Sequence, residues 1–418
     1  MKIAVIGAGI IGVTTAWELA RDGHEVTVFE RRIAAAEEAS FAITGLVSPG
    51  HIGPWPAPGM PLNILRHLLS RHAPVRFSRP LSGADLAWMW KCWRACRPEA
   101  YLRHRASLQR LALYSRERLH GLSAELELDY DRSEGSLVLL RTEREQALLQ
   151  PGLQLLREAG LPHREVSSEE ARRIEPALRA DTPLHGALHL PGDEAGNCRQ
   201  FALLLKNEAL RRGVRFAFGA SVERLQPEGS GLRLQLASEA QPQAFDAAVL
   251  CAGVDSAQLL RPLGLKIPLA AVHGYSISAT VREALNAPRS VVVDERYKVT
   301  IARLGNRVRV GGLAELGGPP QRRSRAALGT LYKVLQDWFP GAAQLSSGVQ
   351  EWKGARPMLP DGQPFIGASG IPGLWLNTGH GDSGWALGCG SARAVADLIS
   401  GRAPETDLAG LDAARLRS

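Results

Sequence analysis

Gly7, Gly9 and Gly12 stand as G-x-G-x-x-G in MKIAVIGAGIIGVTTAW, and an acid, Glu30, follows them. Glycines at this spacing let a chain turn tightly, let its backbone approach a pyrophosphate, and let a helix close on a strand, in that order. The pyrophosphate would rest on the positive N-terminus of the following helix. A carboxylate at Glu30 would accept hydrogen bonds from a ribose 2′-hydroxyl and repel a 2′-phosphate, which disfavours NADP. These residues leave NAD and FAD both open. No nucleophile elbow, zincin motif or phosphate-transfer loop competes elsewhere in the chain. The five cysteines, Cys92, Cys96, Cys198, Cys251 and Cys389, contain no C-x-x-C and read as reduced thiols. Cys92 and Cys96 are assigned to packing, and no metal is expected.

The elements that must position this chemistry are a β-branched strand over residues 2–6, a helix over 13–21 and a second strand over 24–29 ending at the acid. An NAD domain would continue with further alternating strands and helices. Here the alternation stops. Residues 40–61 are rich in Gly, Pro and Ser and too irregular for a helix, which suits a loop that wraps a cofactor. A Trp-rich stretch with Trp88, Trp90 and Trp93 is assigned to helix packing, with a membrane-facing surface as the alternative. GSLVLL opens an α+β region. A loop, a helix and a strand ending near Val222 follow, and a strand over 245–250 runs into CAGVDSAQLL, a second strand-to-helix turn. Residues 269–316 alternate as antiparallel strands, with a turn at LGN. Two short strands, a Gly-rich loop and a helix close the pattern. The blocks are interleaved without linkers.

With 418 residues, two domains are expected. The formal net charge of +8 suits an anionic partner, but no nucleic-acid signature accompanies it, so nucleic acid is excluded as a partner. The apolar start is broken by glycines and shorter than a membrane span needs.

With these blocks placed, the chain resembles the FAD-dependent amine oxidoreductases of the D-amino acid oxidase and glycine oxidase superfamily, and within it the bacterial D-amino acid dehydrogenase small subunits. The likeness covers almost the whole chain. It is carried by SPG with PWPAPG, LPGDEAGNC, HGYS, DERYKVTIAR, RVGGLAE, RPMLPDG and LWLNTGHG. It implies an α/β fold: a discontinuous Rossmann-like FAD-binding domain from residues 1–84, 186–268 and 341–418, and a second, α+β substrate domain from 85–185 and 269–340, built on a mainly antiparallel sheet. The cofactor implied is non-covalent FAD. Its expected contacts are Gly7, Gly9, Gly12 and Glu30 of the fingerprint, with Ile6, Ile10, Ile11 and Arg31 beside it. Ser40, Gly45 and Leu46 belong to the wrapping segment, in which Ile43 replaces a frequent Asn. Val222 would meet adenine, Cys251, Ala252 and Gly253 form the second turn, and Gly379, His380, Gly381, Asp382 and Ser383 form a loop facing the flavin pyrimidine.

Arg356 matches the arginine that holds the substrate carboxylate, a task suited to a bidentate guanidinium, and it is also counted among the flavin contacts. Tyr275 and Tyr297 are pocket candidates, and His51 stands where Tyr is usual. GDSGWALG replaces a more usual Thr-Leu version after His380. The activity implied is oxidative deamination of a D-amino acid to a 2-oxo acid and ammonia by hydride transfer to flavin N5, with electrons passed to a quinone or another non-oxygen acceptor. The alternative substrates are secondary amino acids: D-hydroxyproline, D-proline, sarcosine or glycine. A cytoplasmic protein is expected, with peripheral contact at the inner face of the membrane and additional subunits left open.

Overall fold

Three sheets organise the computed structural model, which describes residues 1–67, 70–412 and 415. Strand β1 (Lys2–Ile6), helix α1 (Ile10–Arg21) and strand β2 (Glu25–Glu30) form the opening unit. Ile3, Ala4 and Val5 are fully buried between the layers, as the β-branched run requires of a central parallel strand. Around β1 the six-stranded sheet runs Phe365–Ala368, Leu374–Thr378, Ala247–Leu250, β1, β2, Arg215–Phe218, parallel except at the Phe365–Ala368 edge. Neighbours in this sheet thus come from widely separated stretches of sequence, which is the discontinuity expected.

The larger sheet has ten strands and is mainly antiparallel. Its edge strand is Gln350–Met358, followed by Ala270–Thr280, Arg307–Gly317 and Val299–Leu304. Two boundaries differ from the sequence reading. Gly186–Ala195 and Gln350–Met358 were assigned to the cofactor segments, yet both hydrogen-bond into this second sheet, as do the short strands Leu46–Val47 and Val75–Ser78. Val222 does not end a strand: it opens Val222–Glu228 of a separate three-stranded sheet.

One buried ionic knot locks the helices behind the six-stranded sheet. Glu18 of α1 is fully buried and accepts from Arg118 at 2.9 Å and Arg393 at 2.6 Å. It thereby ties α1 to the helices Pro98–Glu125 and Gly384–Ile399. Removing one partner from such a group leaves a buried charge uncompensated, so the three helices hold a fixed arrangement.

The tryptophan stretch departs from the packing assignment. Trp88 is buried and its indole donates to the Met358 carbonyl at 3.1 Å, but Trp90 and Trp93 are 57% and 54% exposed. Their rings contact each other in a tilted pair, with centroids 4.9 Å apart.

Candidate active site

A single cavity of about 2160 Å³ lies between the two main sheets. The carboxyl ends of β1 and β2 open into it with Ile6, Gly7, Gly9, Ile10, Ile11 and Glu30. Gly7 adopts φ +103°, and a Cβ there would lie 2.6 Å from the Cys251 carbonyl. Gly12 is the one residue of the expected set outside the cavity lining, because it faces inward: a Cβ would fall 1.8 Å from the Gly7 carbonyl. That is the close helix-on-strand approach its position in the motif calls for.

The N-terminus of α1 carries no side-chain cap and no acid in its first turn. The helix Gly384–Ile399 begins in the same state, just after Gly379, His380, Gly381, Asp382 and Ser383 of the cavity wall. Two positive helix ends therefore face one cavity, the first with its Ile10 N–H already donating to Ser40 Oγ, which suits a ligand with negative charge at two places. Glu30 accepts from the backbone N–H of Ala8 at 2.7 Å and of Arg32 at 2.8 Å, so it staples the glycine turn while keeping acceptor sites for a diol. Arg31 lines the cavity but is occupied by Asp255 at 2.7 Å and Glu38 at 3.0 Å. Its guanidinium is therefore committed to protein carboxylates at the edge of the cavity.

The wrapping segment is held from three sides. Ser40 Oγ accepts from the Ile10 N–H at 3.0 Å, Arg309 donates to the Ile43 carbonyl at 2.9 Å, and the Trp385 indole donates to the Gly45 carbonyl at 3.0 Å. Trp385 is the unusual residue of GDSGWALG. It is buried against Tyr130 and Phe201, so this departure anchors the loop that carries Gly45 and Leu46. Val222, Cys251, Ala252 and Gly253 close the far end of the cavity.

Across the cavity lies the ten-stranded sheet. Arg356 donates through Nη1 to the Leu313 carbonyl at 2.8 Å, and among the described residues no carboxylate lies within 4 Å of it. Burial pushes its pKa down, opposed by the charge of Asp382, yet a guanidinium stays cationic. The Leu313 carbonyl is aimed by a β-bulge. Leu313 and Ala314 together oppose Gly274, and Leu313 takes φ +61°, a strained conformation of the kind that collects at functional sites.

The remaining candidates divide. Tyr275 touches the cavity, but its hydroxyl donates to Glu315 at 2.9 Å and accepts from the Ser324 N–H, so it is not free for a ligand. Glu315 is also paired with the buried Lys353 at 2.8 Å. Tyr297 lines the cavity with its ring between Arg141, Lys333 and His72. His51 faces the cavity and burial lowers its pKa, so it is neutral near pH 7. His380 is buried, paired with Ser391 Oγ at 3.1 Å and pushed down to about 3, which makes it a structural histidine.

Sequence reasoning missed Asp193, Trp352, Trp385 and Arg309. Asp193 lies in the quoted GDEAGNC motif and organises the loop that carries His51. Its carboxyl accepts from Ser48 Oγ, from Ser136 Oγ at 2.9 Å and from the Gly50 N–H at 3.3 Å. Burial outweighs these bonds and raises its pKa to about 6 from 3.8, a difference worth roughly 3 kcal/mol. Because the folded state holds this proton more tightly than the unfolded one, that stabilisation is complete below about pH 3.8 and is lost as pH rises through about 6. In thermal melts, Asp193→Asn is expected to flatten the part of the melting-temperature profile between pH 4 and pH 6.5. A profile parallel to that of the unaltered protein would show that Asp193 does not titrate there.

The two helix N-termini, the glycine cradle and the acid at the end of β2 fit an adenine dinucleotide, and Arg356 opposite them fits an anionic substrate. Together they define a dinucleotide-dependent oxidoreductase. The FAD dependent oxidoreductase family matches residues 2–398, and the chain belongs to that family and uses FAD. D-amino acid dehydrogenase of Cereibacter sphaeroides is 44% identical over 420 residues, covering 98% of this chain and 94% of that protein. D-amino acid dehydrogenase of Rhizobium rhizogenes is 40% identical, covering 99% and 100%. The crystal structure of glycine oxidase from Geobacillus kaustophilus superimposes with a TM-score of 0.77 over 98% of both chains, at 23% identity, and shares the fold.

Proposed function

We infer that the chain oxidises D-amino acids: a D-amino acid and water become a 2-oxo acid and ammonia, and two electrons and two protons leave. Bound FAD supplies the two-electron acceptor for this step. The observation that carries the reading is Arg356, which meets no carboxylate within 4 Å among the described residues and lines the cavity that the dinucleotide turn also enters. Its free donors hold the carboxylate and set the orientation of Cα. The full-length identity with two D-amino acid dehydrogenases supports the choice of substrate class and enantiomer. Glu30, Gly7, Gly9 and the residues 379–383 are assigned to the cofactor, and His51 and Tyr297 to the substrate wall. By sheet membership, Gly186–Ala195 and Gln350–Met358 are assigned to the substrate unit.

The test is anaerobic bleaching of the flavin spectrum by paired D and L enantiomers and by cyclic and secondary amino acids. Bleaching by the D enantiomers supports the reading, whereas bleaching by secondary amines alone overturns it in favour of that alternative.

Electron transfer onward is assigned to a quinone or another non-oxygen acceptor at a membrane surface. No helix among the described residues is long and apolar enough to cross a membrane, so contact would be peripheral. Leu86, Trp90 and Trp93 recur on one exposed side of the helix Gly83–Ala95, with Lys91, Arg94 and Arg97 exposed beside them. Aromatic rings flanked by cations suit an anionic bilayer interface. Cosedimentation with anionic vesicles is expected, weakened by high salt and lost in a Trp90→Ala/Trp93→Ala variant. Equal sedimentation of variant and unaltered protein would remove this helix from consideration.

A further inference from the structure

Two large side chains cover one pair of glycines. In the antiparallel pairing of Ala270–Thr280 with Gln350–Met358, Val272 faces Arg356, Gly274 faces Gly354 and Ser276 faces Trp352. Alternation along a strand puts these six positions on one sheet face. Trp352 folds back over Gly354, where a Cβ would lie 1.8 Å from indole Cζ2. Arg356 folds across the strand over Gly274, where a Cβ would lie 2.4 Å from Nη2. Facing Cβ positions in such a pair are about 4.5–5.5 Å apart. The indole and the guanidinium therefore cover two facing glycines and come side by side, and both line the cavity.

We propose that Trp352 is the specificity-determining wall of the substrate site. This rests on the reading that a D-amino acid is the substrate. With its carboxylate on Arg356, the substrate lies beside the indole that covers Gly354, and its side chain meets that ring. The ring already fills the space above Gly354, so it shortens the site and favours small side chains. The two glycines are needed because any Cβ at either position would displace the side chain lying above it.

The experiment compares Trp352→Ala and Trp352→Phe with the unaltered holoenzyme, using D-alanine, D-valine and D-phenylalanine with an artificial electron acceptor. In Trp352→Ala the ratio of kcat/KM for D-phenylalanine over D-alanine is expected to rise about tenfold or more. Trp352→Phe should fall between, with FAD content unchanged in both. A second readout is the Kd of propionate and 3-phenylpropionate, followed by perturbation of the flavin absorption, which should shift toward the larger ligand in the same order. An unchanged or reversed ratio, or an equal loss for all substrates, overturns the proposal. If the unaltered protein oxidises no D-amino acid while the Kd ratio still shifts, the substrate reading has failed and the wall stands.

Discussion

Arg356→Ala should raise the D-amino acid concentration needed for half-maximal turnover by at least 100-fold while leaving the FAD-to-protein ratio intact. Hydrogen bonds to charged groups contribute about 1.5–3 kcal/mol each, and a bidentate pair makes two, so the loss corresponds to roughly 10²–10⁴ in affinity. Stability should move little or rise. The guanidinium has no carboxylate within 4 Å among the described residues and is held against its own desolvation, with the charge of Asp382 and the Leu313 carbonyl as partial offsets, so the folded chain gains little from it. A residue that costs stability and serves a ligand shows this signature. Arg356→Lys should recover little, because an ammonium lacks the planar fork. The measurements are steady-state kinetics, the visible spectrum and a thermal melt. A variant that loses FAD and melts earlier would make Arg356 a structural cation.

The second large effect is expected at Gly12. Gly12→Val puts a side chain where even a Cβ lies 1.8 Å from the Gly7 carbonyl, and the obstacle is backbone that cannot rotate away. Helix α1 would have to lift off β1, and both the turn and the uncapped helix end would move with it. Overpacking costs about 1–3 kcal/mol where side chains can adjust, and more is expected here. Even 3 kcal/mol taken from the bound geometry weakens FAD more than 100-fold. The protein should therefore purify largely colourless and melt earlier. Gly9→Ala gives the contrast. Its Cβ would meet only Ser40 Oγ at 3.4 Å, so the apoprotein should melt like the unaltered one while FAD binds more weakly, through lost backbone approach. Equal behaviour of the two variants would contradict the division of labour between these glycines.

Local chemistry explains which parts of the fold are legible in the sequence. The turn at Gly7, the helix behind it and the acid at Glu30 follow one another within a few tens of residues, and each type has its own steric or electrostatic reason to be there. Arg356 becomes legible through the resemblance carried by RPMLPDG, since one arginine among many scattered ones has no local mark. The strand that bears it escapes notice: QEWKGARPM has three charges, a glycine and a proline, and is tolerated as a strand because it lies at the edge of its sheet. Trp352 is missed for a related reason. Its meaning depends on Gly354 beneath it and Gly274 across the strand, and pairing between residues so far apart in the chain leaves no periodic trace. Asp193 and Arg309 act through hydrogen bonds to loops that only tertiary structure brings near. Trp385 is half-legible, as an unusual residue whose partner, the Gly45 carbonyl, lies in a distant loop.

The sheet order has a consequence for how the chain is made. Strand β1 is synthesised first, but its neighbour Ala247–Leu250 and the next strand Leu374–Thr378 come far later. At about 5–20 residues per second, roughly 20–70 s separate the two sides of the cofactor cradle on the ribosome. During that interval β1 and α1 expose an apolar surface whose native cover, the helix Gly384–Ile399, does not yet exist. FAD can therefore act as a ligand that traps the finished fold only once that helix has been made.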